Sequence, residues 1–308
     1  MSKMHTSIPL VFHPIYSQLT LSKNHRFPIQ KYLALKELAK SEHGSNVSIH
    51  FVTDKVSKEQ LCSIHQTEYV EQFICGALSD KEMKRIGFPW SQQFVNRTLT
   101  AIGGTLLAAE LATERGIAIN LTGGYHHAHP SFGSGFCVFN DLAITASELI
   151  TSGKANRVLI FDCDVHQGDG TATCVEEHDD IFSLSIHCEK NFPSRKQNSD
   201  WDLGLEKALT DDDYLEQVLQ ALEISVASFR PDFIIYDAGV DVHIDDDLGL
   251  LHISTQGILE RDRLVFQFAE QHQIPILAVI GGGYQRDISA LVQVHMQLIH
   301  AASKVFIK

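Results

Sequence analysis

Apolar residues in this chain gather into short unbroken runs, separated by longer stretches in which they recur every three or four positions. Four of the runs stop at residues able to do chemistry: AINLTGGYHH (118–127), VLIFDCDVHQGDG (158–170), FIIYDAGVD (233–241) and ILAVIGGGY (276–284). Runs without polar alternation read as strands covered on both faces. Further strand candidates lie near 8–12, 48–52 and 181–187, and helical periodicity marks 30–41, 92–115, 140–151, 213–229, 255–272 and 286–303. Segments 76–92 and 189–212 show neither period and read as loops, of the kind that often line active sites. Repeated strand–helix units predict an α/β fold with three α/β/α layers around a central, mostly parallel sheet. Residues 1–308 are expected to form a single domain.

Ligands of open α/β sheets bind beyond the carboxyl ends of the strands. That place would gather His126, His127, Asp162, Asp164, His166, Asp169, Asp241 and Tyr284. If the strand continued through Asp162-Cys163-Asp164-Val165-His166, alternation would put Asp162, Asp164 and His166 on one side. Asp164 and His166 would then meet Asp241 from another strand in a three-ligand metal set. Two carboxylates and an imidazole leave one coordination position open, as catalytic zinc requires, and ferrous iron would accept the same ligands. His126 and His127, as neighbours in extended chain, would point apart and so suit proton transfer better than joint chelation, with Asp162 and Asp169 available to orient them. Tyr284 follows three glycines, where a phenol could donate to a developing oxyanion; GGGY lacks the Lys and Ser/Thr of a phosphate-binding loop. An isolated D-x-H is more often a salt-bridge or capping cluster, and a lone histidine pair is more often structural. Four such motifs at successive strand ends reverse that judgement.

Composition narrows the picture further. At 308 residues and 44% hydrophobic, the chain can bury a large core. No run of about eighteen apolar residues is present, which argues against a membrane span. The opening MSKMHTSIPL lacks the apolar stretch of a secretory signal, so a soluble, cytoplasmic protein is expected. The six cysteines are scattered without a CxxC pair and are expected to be reduced core residues. A net charge of −13, from 25 Lys+Arg against 38 Asp+Glu, disfavours direct nucleic-acid binding. The acidic runs Asp211–Asp213, after Thr210 at a helix start, and Asp245–Asp247 read as solvated surface.

Together, TGGYHHAHPSFGSGFCVFND, FDCDVHQGDGT, SLSIHCEKNFP, DAGVD and GGGYQRD resemble the zinc-dependent histone deacetylase family, and HRFPIQKY (25–32) and HQTEYVEQF (65–73) resemble its opening region. DVHQGDGT, NFPSRKQNSDWD and the short length are most similar to the class IV branch and its bacterial relatives. The resemblance implies an arginase-like fold and hydrolysis of acyl-lysine in proteins or peptides, or of another acylated amine such as an acetylpolyamine. It implies Asp164, His166 and Asp241 as zinc ligands, Tyr284 as the residue polarising the carbonyl, and His127 with Asp169 as general base and then acid. His126 with Asp162 would be its electrostatic partner, and Gly135, Phe136 and Phe192 would wall the acyl-lysine channel. A structural potassium ion is implied on main-chain oxygens of Asp162, Asp164 and His166 with Ser185. Gln167, where many relatives have histidine, and NFPSRKQNSD, in place of a glycine-rich segment, leave the acyl length and the substrate open. A two-manganese ureohydrolase and an inactive acyl-lysine-binding module are the alternatives. Val-His-Ile-Asp after Asp241 counts against the first, and the retained Tyr284, His127 and ligand set against the second.

Overall fold

The apolar runs become buried strands. A computed structural model describes residues 6–307; residues 1–5 and 308, the ends of the expected domain, lie outside the described residues. In chain order the elements are β1 (Ile8–Phe12), α1 (Lys31–His43), β2 (Val47–Phe51), α2 (Lys58–Cys62), α3 (Thr67–Cys75), α4 (Asp80–Ile86), α5 (Gln92–Arg115), β3 (Ile117–Asn120), α6 (Asp141–Thr151), β4 (Val158–Asp162), α7 (Asp169–Val175), β5 (Ile181–Cys188), β6 (Trp201–Leu205), α8 (Asp211–Phe229), β7 (Phe233–Asp237), α9 (Thr255–His272), β8 (Ile276–Val279) and α10 (Ile288–Phe306). All eight strands join one sheet in the order β2-β1-β3-β8-β7-β4-β5-β6, and every neighbouring pair is parallel. Helices α5, α6 and α7 pack as one layer, and α1, α10, α9 and α8 as the other. Every residue of β3, β4, β7 and β8 is buried, as a sheet covered on both faces demands.

The two segments expected to be loops each contain an element. Residues 76–92 include α4, opened by a capping box in which Ser79 and Glu82 satisfy each other's backbone amides. About two turns are too short to display a helical period. Residues 189–212 include the edge strand β6, whose mixed exposure breaks the apolar-run pattern of the central strands. Helices α2, α3 and α7 are also too short to show a period in the sequence. Among the described residues no helix is long and apolar enough to cross a membrane. All six cysteines are free; Cys137, Cys163, Cys174 and Cys188 are buried, whereas Cys75 is exposed.

The sheet order has a direct consequence. The four runs that end in reactive residues are the four contiguous central strands β3, β8, β7 and β4. Parallel pairing keeps their carboxyl ends level, with Asn120 and Asp237 both beside Val279 and Asp162 beside Asp237. The loops leaving these ends must therefore meet.

Candidate active site

The loop after β4 is organised by its own carboxylates. The Asp164 amide donates to Asp162 Oδ1 at 2.9 Å, and the His166 amide donates to Asp164 Oδ1 at 2.9 Å. These side-chain acceptors take amides that a continuing strand would have offered to the ladder. The strand consequently ends at Asp162, and the expected alternation through His166 does not occur. Asp162 turns to His126, while Asp164 and His166 turn to Asp241. On the layer behind, the buried guanidinium of Arg261 donates to Gly239 O at 2.7 Å and to Cys163 O at 3.3 Å, fastening the loops after β7 and β4 together.

Asp164, His166 and Asp241 are buried and bring one ligand atom each within 4.8 Å of one another. His166 Nδ1 stands 3.0 Å from Asp164 Oδ1 and 3.1 Å from Asp241 Oδ2. Ligands of a tetrahedral zinc at about 2.0–2.1 Å are spaced about 3.3 Å apart, so the set fits a zinc-sized divalent ion. The other carboxylate oxygens are held by backbone amides: Gly282 donates to Asp164 Oδ2 and Val165 to Asp241 Oδ1. Gly282 is required there, because a Cβ would collide with Asp241 and Asp164. Burial disfavours charge on His166, yet its hydrogen bonds to the two carboxylates outweigh that and hold it up to about 10. The field that holds this proton is the field that attracts a divalent cation. A second buried group, His126, Asp162 and Asp237, adjoins the first.

The two adjacent histidines do not point apart. They occupy a turn rather than extended chain, and their ring centroids are 4.2 Å apart. Each has its own carboxylate: His126 Nδ1 lies 2.7 Å from Asp162 Oδ2, and His127 Nδ1 lies 2.6 Å from Asp169 Oδ1. Their charge states diverge. Burial works against charge on both, but Asp162 and Asp164 raise His126 well above the ordinary histidine range. At His127, burial and the neighbouring His126 prevail over Asp169 and lower it to about 4. His127 is therefore neutral near pH 7 beside a charged His126, and Asp169 fixes the tautomer that leaves Nε2 free. Gly135, with φ +52, keeps space for this ring: an added Cβ would stand 2.6 Å from His127 Cδ2.

Several residues that complete the site carried no distinguishing signal. Asp246, expected as solvated surface, is buried and accepts from the backbone amides of Tyr284 (2.7 Å), Leu248 (2.8 Å) and Gly249 (3.0 Å). Its neighbours Asp245 and Asp247 are exposed, so only structure separates the three. Asp211 likewise is partly withdrawn from solvent, accepting from the Ser254 amide at the start of α9. Lys31 is buried and donates to Gly281 O at 3.1 Å, and burial brings its ammonium down to about 8. Asp237 is fully buried with neither carboxylate oxygen hydrogen-bonded, and burial raises it well above the carboxylate range. His129, in the quoted HHAHP, adds a 3.3 Å contact to Asp169.

Two recesses meet at this centre. An outer one of about 700 Å³ is lined by Lys84, Arg85, His127, His166, Lys190, Phe192 and Tyr284 among others. An inner one of about 20 Å³ is lined by Lys31, Gly124, His126, Asp164, Gly281 and Tyr284 among others. His127, Gly135, Phe136 and Tyr284 belong to both and form the neck between them. Phe192 sets its ring edge-on to His127, centroids 4.8 Å apart, and is 46% exposed. Burial, with Asp164 and Asp241 nearby, raises Tyr284 well above the ordinary phenol range, so its hydroxyl stays a donor. Ser185 lies one strand behind the neck, opposite Asp162 in the β4–β5 register.

Residues 25–299 match the family model described as the histone deacetylase domain. An uncharacterized protein of Picosynechococcus sp. is 44% identical over 298 residues, covering 97% of this chain and 99% of that protein. Histone deacetylase 2 of Arabidopsis thaliana is 37% identical over 194 residues, 62% of this chain and 50% of its own length. The acetoin utilization protein AcuC of Staphylococcus aureus is 32% identical over 247 residues, 73% of this chain and 63% of its own. Among solved structures, acetylpolyamine aminohydrolase from Burkholderia pseudomallei superposes with a TM-score of 0.77 at 19% identity, covering 97% of this chain and 99% of that one. That likeness is one of fold.

Proposed function

The chain belongs to the histone deacetylase family, a hydrolytic deacetylase of arginase-like α/β fold, and from that premise we propose that it removes acetyl groups from acetyl-lysine in proteins or peptides. The observation that carries this reading is the neck, where a neutral histidine, a protonated phenol and a buried Asp164–His166–Asp241 set face one another between a wide mouth and a minimal inner cavity. Zinc, or ferrous iron, held by Asp164, His166 and Asp241 would polarise the amide carbonyl and acidify water. His127 Nε2 takes the proton of the attacking water and returns it to the leaving amine, while Asp169 keeps the ring in position. Tyr284 donates its hydroxyl hydrogen to the oxygen on which negative charge develops. Charged His126, paired with Asp162, adds a fixed positive field beside the neck. Gly135, Phe136 and Phe192 wall the lysine stem, whose methylenes suit apolar surroundings.

The inner cavity supports acetyl over longer acyl groups. At about 20 Å³ it is small beside a longer acyl chain, and its walls include glycine backbone and buried polar groups that cannot retreat cheaply. A potassium ion on main-chain oxygens of Asp162, Asp164 and His166 with Ser185 Oγ is part of the same reading. Its support is the adjacency of Ser185 to Asp162 and the buried carboxyl group of Asp237 nearby, whose oxygens have no hydrogen-bond partner. We also read residues 1–308 as one catalytic domain.

The test is hydrolysis of acetyl-, butyryl- and myristoyl-lysine peptides and of N-acetylspermidine by protein whose zinc and iron are quantified, with His127→Ala as control. Metal-dependent release of acetate from the acetyl peptide, lost in the control, is expected. Turnover of N-acetylspermidine alone would replace acetyl-lysine by an acetylpolyamine, and no turnover at full metal loading would overturn the proposal.

A further inference from the structure

The outer mouth carries a charge opposite to that of the chain. Lys84 and Arg85, at the end of α4, and Lys190, after β5, line the recess that opens onto His127 and Tyr284, and its lining contains no carboxylate side chain. The whole chain has a net charge of −13. None of the three has an ion-pair partner among the described residues, whereas Lys36, Lys58, Lys154 and Arg263 elsewhere on the surface do. Glu189, next to Lys190 in sequence, turns towards His187 and Gly204 on β6. Asp246 is committed to three backbone amides, and Asp247 is paired with Arg26 and Arg286. A neighbouring groove of about 550 Å³, which shares Tyr284, adds Lys23, Arg26 and Arg286 against Asp247.

Basic residues in the last turn of a helix favour its dipole, which accounts for Lys84 and Arg85 being on α4. It does not account for Lys190, which is on no helix, nor for all three lining one opening. Their mounts are also firm. The carbonyls of Arg85 and Ile86 accept from the Gly135 and Phe136 amides, tying α4 to the channel wall. The Arg85 guanidinium sits 4.0 Å from the centre of the Phe132 ring. Asn191, beside Lys190, donates to Leu248 O and accepts from the Leu250 amide.

Building on the deacetylase reading above, we infer that this rim selects acetyl-lysine segments flanked by acidic residues. The acetyl-lysine side chain fills the neck, so its neighbours in sequence must lie in the mouth, where Lys84, Arg85 and Lys190 attract carboxylates and repel basic flanks or the ammonium groups of an acetylpolyamine. Charge at a rim acts on capture more than on the chemical step and weakens with salt. The selection should therefore appear in kcat/KM and KM rather than in kcat.

The experiment uses three acetyl-lysine peptides identical except for flanking Asp, Gln or Lys residues, with metal-loaded full-length protein and its Lys84→Glu/Lys190→Glu variant. At low ionic strength the Asp-flanked peptide should exceed the Lys-flanked one by about tenfold or more in kcat/KM, a ratio that shrinks with added salt. In the variant the ratio should collapse or invert. Because each ratio is internal to one preparation, partial misfolding lowers both peptides alike and leaves it interpretable. Equal kcat/KM for the acidic and basic peptides, or a preference for the basic one, overturns this inference and leaves the deacetylase reading intact. Turnover of none of the three overturns the acetyl-lysine reading together with it.

Discussion

The inner cavity and the outer mouth share four residues but are built by different means. The inner one is made where central strands stop, from glycines and from polar groups held by buried backbone hydrogen bonds, such as Gly282 to Asp164 and Lys31 to Gly281. The outer one is made from a helix end, an edge-strand connection and a loop, and it displays exposed side chains. A buried group that loses its partner has no water to replace it, whereas an exposed one does. Interior changes should therefore fall on kcat and mouth changes on KM. Tyr284→Phe is the sharpest probe of this division. It removes one oxyanion donor without altering shape, and kcat should fall by about a hundredfold to a thousandfold with metal content and folding unchanged. Wild-type turnover would remove the phenol from the mechanism.

Backbone space is the next test of the interior. Gly135→Ala places a methyl 2.6 Å from His127 Cδ2 at a residue with φ +52, so the ring must move off its line with Asp169. Misplacement of a reacting group by about 1 Å can cost about a hundredfold. A loss of kcat between about tenfold and a hundredfold, with KM nearly constant, is expected from steady-state kinetics. A smaller effect should come from Asp246, which touches no reacting atom and acts as a positioning residue on the Tyr284 amide. Asp246→Ala should lower kcat by about tenfold, and Asp246→Asn, whose single amide oxygen can accept on only one of the two sides, should restore only part of it. If Asp246→Ala keeps wild-type kcat, the hydrogen bonds to Tyr284, Leu248 and Gly249 are not what position the phenol.

The same division sets what the sequence could disclose. The four reactive strand ends were legible because continuous apolar runs followed by Gly, Asp and His are a one-dimensional signal of buried parallel strands. Their adjacency as β3, β8, β7 and β4 was not, since strand order is decided by packing of whole layers. Asp164, His166 and Asp241 could be brought together from their motifs, but strand alternation does not place them, because the carboxylates of Asp162 and Asp164 capture the next amides and end the strand. Asp246 and Lys31 were invisible for another reason. Each looks like an ordinary surface residue in a charged or amphipathic stretch, and only the fold buries it. The rim was hardest to read, since α4 and β6 are too short or too exposed to show a period.

Phe192 offers the smallest predicted effect and the most direct check on the boundary between the two regions. Its ring stands edge-on to His127 at 4.8 Å, which would make it an interior residue, yet it is 46% exposed, which makes it part of the mouth. Asp169 already fixes the His127 ring through Nδ1, so Phe192 need not orient it. What the phenyl ring supplies is apolar surface along the lysine stem, and burying a few methylenes against it is worth about 1 kcal/mol. Phe192→Ala should therefore raise KM for an acetyl-lysine peptide by roughly fivefold at nearly constant kcat. If kcat falls instead while KM holds, Phe192 steadies His127 in the transition state. The boundary between chemistry and capture would then lie one residue further out than Gly135 and Phe136 now mark it.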